Sequence, residues 1–393
     1  MINLRRFSRP LTAGLAWLVA IVFACAIESG KLFFAERAFR SDNIVIASLG
    51  ALFGVILLPR LCAVASVKRH HPDWHCVALV TDEPPPGFEW RSSEPMDEIH
   101  YAKNLGIPDF RQWLFKHDIV EVCTAVKGPY ARQACSLGYD AIVYLDPDTC
   151  LFAPLEPVLD ALRTSDIALT PHQLEPDSKR QAIIDNEVTS LKTGIYNLGF
   201  LAIRSSGEGL RMAKWWSERL LSFCYDDIPN GLFVDQRWCD HVPSFFERVA
   251  VLRDPGLNVA SWNLSHRTVS VDHRGNVLVN GSPLRFWHFT KLGRVGDTMT
   301  RRYAKQNFPV YELWAWYRKQ VEEATSTAVP AGYWAFGRFE SGMPIPKTAR
   351  ELYRHRVDLQ QAFRDPYKSG HGSFEEWLRH EGIMETAPKS VAA

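Results

Sequence analysis

The chain has 393 residues, of which 46% are hydrophobic and 23% are charged. This composition is ordinary for a globular enzyme and excludes a largely disordered protein. The 45 basic and 44 acidic residues leave a formal charge of +1, so the basic field typical of nucleic-acid-binding proteins is absent and nucleic acid is not an expected partner.

The N-terminal 42 residues contain an apolar leader. Residues 10–27 are uncharged and follow arginines at positions 5, 6 and 9. This pattern is typical of a membrane anchor or a signal sequence, and a buried apolar segment is the alternative. The arginines favour a cytoplasmic N-terminus, so a single membrane span would export everything that follows it.

The first globular elements are predicted to be a strand over residues 44–49, a helix through residue 67 and a second strand over residues 76–81. Pro59 would kink or restart that helix. A strand, helix and strand in this order are typical of the half of an α/β domain that binds a nucleotide. Residues 84–108 then form a turn-rich connection.

The middle of the chain alternates between predicted strands and helices. In order, these are a strand over 119–123, a helix over 129–137, a strand over 141–145, a helix over 155–162 and a strand over 166–170. The alternation predicts an α/β fold with a mostly parallel sheet between helices. Residues 293–393 become aromatic and basic with helix-like stretches, which predicts a helical C-terminal appendage.

The eight cysteines form no Cys-x-x-Cys pair and show no spacing with histidine that is typical of zinc sites. Several lie in apolar, strand-like stretches. We interpret them as reduced core residues, which indicates a cytosolic compartment. The 13 tryptophans could stack on sugar rings, and core packing explains most of them equally well.

Two aspartates follow the predicted strand over 141–145. Asp146 and Asp148 are separated by one residue and would lie at the carboxyl end of that strand, where open α/β sheets bind ligands. Mg²⁺ and Mn²⁺ prefer carboxylate oxygens and are often shared with substrate phosphates, so the pair suits a metal and diphosphate site. Because aspartate and proline are also common in turns, a plain turn is the alternative.

Five further motifs follow in a fixed order. They are Tyr-Asn-Leu-Gly-Phe-Leu-Ala-Ile at 196–203, Trp-Trp at 215–216, Phe-Val-Asp-Gln-Arg-Trp at 233–238, Asn-Val-Ala-Ser-Trp-Asn-Leu at 258–264 and Phe-Trp-His-Phe at 286–289. Together with the aspartate pair, they resemble the glycosyltransferases of the GT-A fold, notably bacterial relatives of glycosyltransferase family eight, the glycogenin-like group. The resemblance covers residues 43–292, which are expected to form a GT-A-like nucleotide-sugar transferase domain.

The resemblance implies metal-dependent transfer of a sugar from a nucleoside diphosphate sugar to a glycan or a lipid-linked acceptor. Asp146 and Asp148 would bind Mn²⁺ (or Mg²⁺), and His288 would be the third metal ligand. Histidine is more compatible with Mn²⁺ than with Mg²⁺. Lys291 is expected to contact the diphosphate, with a solvated surface lysine as the alternative.

Three residues are expected at the reacting sugar. The amide of Asn197 can read sugar hydroxyls, and Asp235 with Gln236 resembles the acidic-amide pair that reaches the donor sugar. Asp235 could equally cap a helix. The resemblance favours retention of stereochemistry, whereas Asp235 acting as a base would permit inversion. Trp215 and Trp216 follow Leu210 at helical spacing and are expected to pack in the core.

Other functions remain open at this stage. A haloacid-dehalogenase-like phosphotransferase would use Asp146 as a nucleophile and Asp148 as a general acid and base. A nucleotidyltransferase would also use two carboxylates, but no Gly-rich loop containing Arg or Lys follows the first strand. A non-catalytic sugar-binding protein would need no metal.

A transferase needs nucleotide sugar, which is supplied in the cytosol. Residues 10–27 are therefore expected to lie in the membrane interface and to attach the domain to the cytosolic face of the membrane without exporting it.

Overall fold

The computed structural model describes residues 31–36, 44–50, 57–88, 95–323 and 332–384. The predicted membrane anchor at residues 10–27 therefore lies outside the described residues. Among the residues that are described, no helix is both long enough and apolar enough to cross a membrane.

The described chain is a mixed α/β protein, which confirms the predicted class. Its strands, in chain order, are β1 (Lys31–Glu36), β2 (Ile44–Gly50), β3 (Trp74–Val80), β4 (Glu98–Tyr101), β5 (Ala141–Leu145), β6 (Thr149–Leu151), β7 (Ile167–Pro171), β8 (Tyr196–Arg204), β9 (Asp226–Asp227), β10 (Leu232–Phe233), β11 (Val249–Val251), β12 (Val269–Val271), β13 (Val277–Val279), β14 (Ser282–Pro283) and β15 (Phe286–His288).

The helices surround these strands. They are α1 (Leu57–His70), α2 (Phe110–Phe115), α3 (Ile119–Ala125), α4 (Lys127–Ala134), α5 (Glu156–Thr164), α6 (Arg180–Ala182), α7 (Thr189–Thr193), α8 (Gly207–Phe223), α9 (Val242–Phe245), α10 (Arg294–Ala304), α11 (Phe308–Glu323), α12 (Lys347–His355), α13 (Val357–Ala362) and α14 (Phe374–His380). A π-helical segment, Ile183–Val188, joins α6 to α7 without a break.

One eight-stranded sheet dominates the fold. β2 pairs in parallel with β3 and β5, and β3 pairs in parallel with β4. β8 runs antiparallel between β5 and β7, β11 pairs in parallel with β7, and β1 is antiparallel to β2 and β5. The sheet is therefore mixed, and the prediction of a mostly parallel sheet is too simple. The chain that leaves β7 returns as its antiparallel neighbour instead of crossing over.

The order of the parallel strands explains where a ligand would bind. From β2 the chain moves outward to β3 and β4, and it then returns on the other side of β2 as β5. In open α/β sheets, ligands bind beyond the carboxyl ends of the strands at such a reversal. Asp146 and Asp148 follow β5 at this point.

Several predicted elements are confirmed, and one is wrong. The strand over 141–145 is β5, and the helices expected near 129–137 and 155–162 are α4 and α5. The strand expected over 119–123 is instead α3. Asp118 and Glu121 form a reciprocal capping box at its start, with N–H to carboxylate distances of 2.9 and 2.8 Å. This cap favours a helix despite the β-branched residues that follow it.

Two further expectations change in detail. Pro59 lies in the first turn of α1, which begins at Leu57, and the helix needs no kink there because the first-turn N–H groups have no partner within the helix. The connection over 84–108 is not purely irregular. It contains β4 and the short 3₁₀ helix Ala102–Asn104.

The C-terminal segment is helical, as predicted, and its helices pack on the α/β region. Tyr317 in α11 stacks on Phe289 with ring centroids 3.9 Å apart. Tyr353 in α12 and Phe374 in α14 pack against Phe115 at centroid distances of 5.1 and 5.7 Å. The C-terminal helices therefore share hydrophobic clusters with the rest of the described chain.

The buried residues agree with two further predictions. The seven cysteines among the described residues are free, and six of them are buried. Trp216 is fully buried in the core, and Trp215 packs edge-on against Phe246 at a ring distance of 5.5 Å. These tryptophans pack in the core, as their helical spacing predicted.

Candidate metal centre

The turn after β5 brings a distant histidine to the aspartate pair. The backbone N–H and the hydroxyl of Thr149 both donate to the carbonyl oxygen of Asp146, at 3.0 and 2.6 Å. The chain then turns back as β6, which pairs antiparallel with β15 and sets Thr149 opposite His288. A pairing between strands far apart in sequence therefore places the imidazole beside the carboxylates.

Asp146, Asp148 and His288 form a compact cluster. Nε2 of His288 lies 3.2 Å from Oδ1 of Asp148 and 3.5 Å from Oδ2 of Asp146. One ligand atom from each residue lies within 4.8 Å of the others. Asp146 and His288 are buried, whereas Asp148 is partly exposed. One metal ion could therefore bind all three residues.

Hydrogen bonding fixes which nitrogen of His288 faces the carboxylates. The backbone N–H of Gly199 donates to Oδ1 of Asn197 at 2.9 Å, which identifies that atom as the amide oxygen. Nδ1 of His288 lies 3.2 Å from the same oxygen, so Nδ1 carries a proton and donates it. In the neutral imidazole, Nε2 then keeps a lone pair. Metal-binding histidines are commonly oriented by such an outer hydrogen bond.

His172 and Asn258 hold Asn197 in this orientation. Nδ2 of Asn197 lies 3.1 Å from Nε2 of His172. Nδ2 of Asn258 donates to Oδ1 of Asn197 at 3.0 Å and to the hydroxyl of Thr170 at 2.8 Å. Asn258 has a left-handed backbone with a φ of 51°, which asparagine adopts more readily than most residues. These contacts fix the side chain of Asn197, which in turn accepts the hydrogen bond from the imidazole of His288.

Tyr144 fixes the other side of Asp146. Its hydroxyl donates to Oδ1 of Asp146. Burial, together with the charges of Asp146 and Asp235, raises the pKa of Tyr144 well above its usual value. The hydroxyl therefore keeps its proton and acts as a donor at neutral pH. This bond leaves Oδ2 of Asp146 as the atom that faces His288.

The donor atoms fit a divalent cation. Oδ1 of Asp148 is a buried atom with no hydrogen-bond partner among the described residues. It lies beside a second carboxylate, and two adjacent negative charges are unfavourable without positive charge nearby. The carboxylate oxygens suit Mg²⁺ or Mn²⁺, and the imidazole nitrogen favours Mn²⁺.

The cluster lies in an open cleft with a volume of about 230 Å³, far more than the ~30 Å³ share of one water molecule in the liquid. Lys291 is exposed at the cleft and has a left-handed backbone with a φ of 57°. Six of the seven predicted site residues line this cleft, namely Asp146, Asp148, Asn197, Gln236, His288 and Lys291.

Asp235 lies beneath the cleft and does not belong to the described lining. Its fully buried carboxylate pairs with the fully buried Lys127. Nζ of Lys127 also donates to the carbonyl of Leu198 at 3.2 Å and lies 4.4 Å from the ring centroid of Tyr144. The carboxylate of Asp235 therefore has a partner in the core, and its contact with a donor sugar stays a prediction.

Gln236 lines the cleft, but its amide is engaged with the backbone. Oε1 accepts from the N–H of Leu198 at 3.3 Å, and Nε2 donates to the carbonyl of Thr193 at 2.9 Å. Gln236 therefore ties the start of β8 to the end of α7. This contact positions the cleft lining, and a direct contact with a sugar remains untested.

The sequence interpretation missed three supporting residues. Tyr144 looks like one more member of the apolar run in β5, although its position two residues before Asp146 places both on one face of an extended chain. His172 carried no motif. Asn258 begins one of the motifs, which leaves a structural loop residue and an acceptor contact both open, and the left-handed backbone that directs its amide has no sequence signature.

Comparisons with known proteins do not identify an activity. No family model matches the chain. The chain is 29% identical over 175 residues, 44% of its length, to the uncharacterized protein YfnF of Bacillus subtilis (strain 168), and the match spans 57% of that protein. It is 24% identical over 268 residues, 67% of its length, to the uncharacterized protein YfnD of the same organism, covering 79% of YfnD.

Proposed function

We propose that this protein is a metal-dependent glycosyltransferase that moves a sugar from a nucleoside diphosphate sugar to a glycan or a lipid-linked acceptor. The convergence of Asp146, Asp148 and His288 in a cleft is the observation that carries the proposal. The ordered motifs that resemble GT-A glycosyltransferases supply the reaction class.

Different residues of the cleft would bind different parts of the donor. A divalent cation held by the cluster would supply positive charge to the departing diphosphate. Asp146 and Asp148 contribute oxygens, and His288 contributes Nε2. Lys291 lies in the lining of the same cleft and would add a second positive charge as the leaving group develops its negative charge.

The sheet supports a GT-A-like domain over residues 43–292 as part of this proposal. β2, β3 and β4 form a parallel set, and β5 returns beside β2. The carboxyl ends of such strands gather a nucleotide and its phosphates. The aspartates that follow β5 are therefore well placed for the diphosphate of a nucleotide sugar.

A phosphotransferase with Asp146 as nucleophile fits the site less well. Asp146 is only 3% exposed. Its Oδ1 accepts the hydroxyl proton of Tyr144, and its Oδ2 faces His288. An attacking carboxylate needs an open approach to phosphorus, whereas Asp146 is buried and its Oδ1 already accepts a hydrogen bond. A non-catalytic sugar-binding protein needs no metal, so Mn²⁺-dependent nucleotide binding would exclude that alternative.

We further propose that the catalytic domain works on the cytosolic side of a membrane and is attached through residues 10–27. The free, buried cysteines support a reducing compartment. If protease cannot reach the domain in sealed vesicles with their cytoplasmic side outward, the domain has crossed the membrane and this location is wrong.

The function is tested by a screen of nucleotide sugars with the full chain. We expect one of UDP-glucose, UDP-galactose, UDP-N-acetylglucosamine or GDP-mannose to release its nucleotide in the presence of Mn²⁺. Asp148→Asn should abolish this release, whereas Asp160→Asn, a change at an exposed aspartate in α5, should not. No release from any donor, with a phosphorylated Asp146 trapped from p-nitrophenyl phosphate, would establish the phosphotransferase instead.

A further inference from the structure

Part of the cleft lining is uncharged and carries polar atoms that the described residues leave unpaired. We call Gln173, Asn186 and Trp262 the neutral wall. These three residues line the same cleft as the metal cluster. Each has a buried polar atom with no hydrogen-bond partner among the described residues, namely Oε1 of Gln173, Oδ1 of Asn186 and Nε1 of Trp262. Buried polar atoms are normally paired, so three unpaired atoms in one cleft call for an explanation.

The two amides have defined orientations. Nε2 of Gln173 donates to the carbonyl oxygen of Trp262 at 3.0 Å. Nδ2 of Asn186 donates to a carboxylate oxygen of Asp177 at 2.8 Å. In each amide the nitrogen is therefore the atom that binds the protein, because carbonyl and carboxylate oxygens only accept. The oxygen atoms of Gln173 and Asn186 remain as acceptors for a ligand.

The indole of Trp262 is held between two histidines. Its ring centroid lies 5.7 Å from that of His172 and 5.5 Å from that of His288, with the second pair edge-to-face. The indole therefore packs directly against His288 of the Asp146, Asp148 and His288 cluster. Its N–H can act only as a donor, so the neutral wall offers two acceptors, one donor and an aromatic ring.

Side chains of α10 hold the segment that carries Asn186. Asn186 lies in the π-helical stretch Ile183–Val188, a geometry that is frequent at functional sites. The preceding Asp185 pairs with Arg302 and accepts the hydroxyl proton of Tyr303 at 2.7 Å. Its charge is therefore balanced by α10, and the neutral wall adds no charge of its own to the cleft.

We propose that the neutral wall binds the hydroxyl groups of a sugar ring next to the metal cluster. Sugar hydroxyls donate and accept, so they can pair with both amide oxygens and with the indole N–H, and aromatic rings suit the apolar faces of sugars. A phosphate is excluded as the preferred ligand because two of the three atoms are acceptors and no cation belongs to the wall. The inference rests on the proposed function and names the subsite that holds either the donor sugar or the acceptor glycan.

Trp262→Phe is the decisive variant because it removes the N–H and keeps an aromatic ring. Since Nε1 has no partner within the described residues, folding loses no hydrogen bond and we expect only a small fall in melting temperature from the smaller ring. Affinity for a sugar should fall roughly fivefold for the loss of one hydrogen bond. Trp314→Phe is the matched control. Its Nε1 is also buried without a partner among the described residues, and it lies outside the cleft lining.

The measurement compares the full chain and both variants in the presence of Mn²⁺. Calorimetry gives affinities for UDP, GDP and the four nucleotide sugars, and saturation-transfer NMR detects methyl glycosides of glucose, galactose and mannose. Weaker binding of a nucleotide sugar, with its nucleotide unaffected, assigns the wall to the donor sugar. Loss of methyl glycoside binding alone assigns it to the acceptor.

Three results would overturn the inference. They are equal affinities in wild type and Trp262→Phe, an equal loss of affinity for the nucleotide itself, and no binding of any sugar ligand to the wild type. The proposed function fails separately. Methyl glycoside binding that depends on Trp262, in a protein that neither binds nor hydrolyses any nucleotide sugar, would keep the subsite and reject the transferase.

Discussion

Gly199 lies against the imidazole of His288 with no room for a side chain between them. A Cβ atom at residue 199 would overlap the histidine ring and would lie 2.7 Å from Oδ1 of Asn197. The histidine and that amide oxygen are the two ends of the hydrogen bond that directs Nε2 toward the carboxylates. The glycine of the Asn-Leu-Gly motif is therefore needed for close approach to the site.

We expect Gly199→Ala to weaken Mn²⁺ binding by about 10–100-fold, the range typical of losing an outer partner of a metal ligand. The added methyl group would displace the ring of His288, so the metal would lose its nitrogen ligand. Electron paramagnetic resonance of free Mn²⁺ measures the affinity, and circular dichroism checks the fold. A folded variant with wild-type affinity would contradict this dependence of metal binding on the position of His288.

Asp148→Asn should separate metal binding from folding. Without metal, the change removes one of two adjacent negative charges, so we expect the melting temperature to stay the same or rise. With saturating Mn²⁺ the wild type should gain stability because the ion binds only the folded state, and the variant should gain little. Differential scanning fluorimetry with and without Mn²⁺ measures both effects. Asp160→Asn should behave as the wild type.

The sequence predicted the residues of the Asp146, Asp148 and His288 cluster better than the residues that support them. Asp146 and Asp148 are adjacent to a strand whose bounds were predicted correctly, and the order of motifs pointed to His288. The pairing of β6 with β15, which brings His288 to them, depends on contacts across more than a hundred residues and leaves no local pattern. The strand expected over 119–123 failed because a side-chain cap outweighed β-branched composition.

Tyr144→Phe tests whether the hydroxyl holds Asp146 in position. The phenylalanine ring can keep the packing beside Lys127, and the bond from the hydroxyl to Oδ1 is lost. We expect Mn²⁺ affinity to fall at least several-fold, because the freed carboxylate can rotate away from His288. Tyr130→Phe is a matched control: Tyr130 is also fully buried, and its hydroxyl lies 3.1 Å from Nδ1 of His100. Equal metal affinities in the two variants would reject this role.

Lys291→Ala should lower kcat more than it changes the affinity for the nucleotide sugar. The ammonium group would interact most strongly with the diphosphate as the glycosidic bond breaks. A tenfold or greater loss of kcat is expected for a contact of this type. Lys305→Ala is the control, because Lys305 is also exposed and also has a left-handed backbone, with a φ of 49°. Unchanged turnover in Lys291→Ala would remove this lysine from the site.

Asp235→Asn distinguishes a core role from a catalytic one. The change leaves the ammonium of Lys127 buried without its charged partner, and breaking a fully buried ion pair in this way typically costs about 3–5 kcal/mol of unfolding free energy. We therefore expect a large drop in the midpoint of urea denaturation. The double variant Lys127→Met, Asp235→Asn should recover much of this loss, because no isolated charge remains in the core. If the double variant is stable and still transfers sugar, Asp235 acts through the core. A stable double variant without activity, but with wild-type Mn²⁺ affinity, would support a direct role of Asp235 at the reacting sugar.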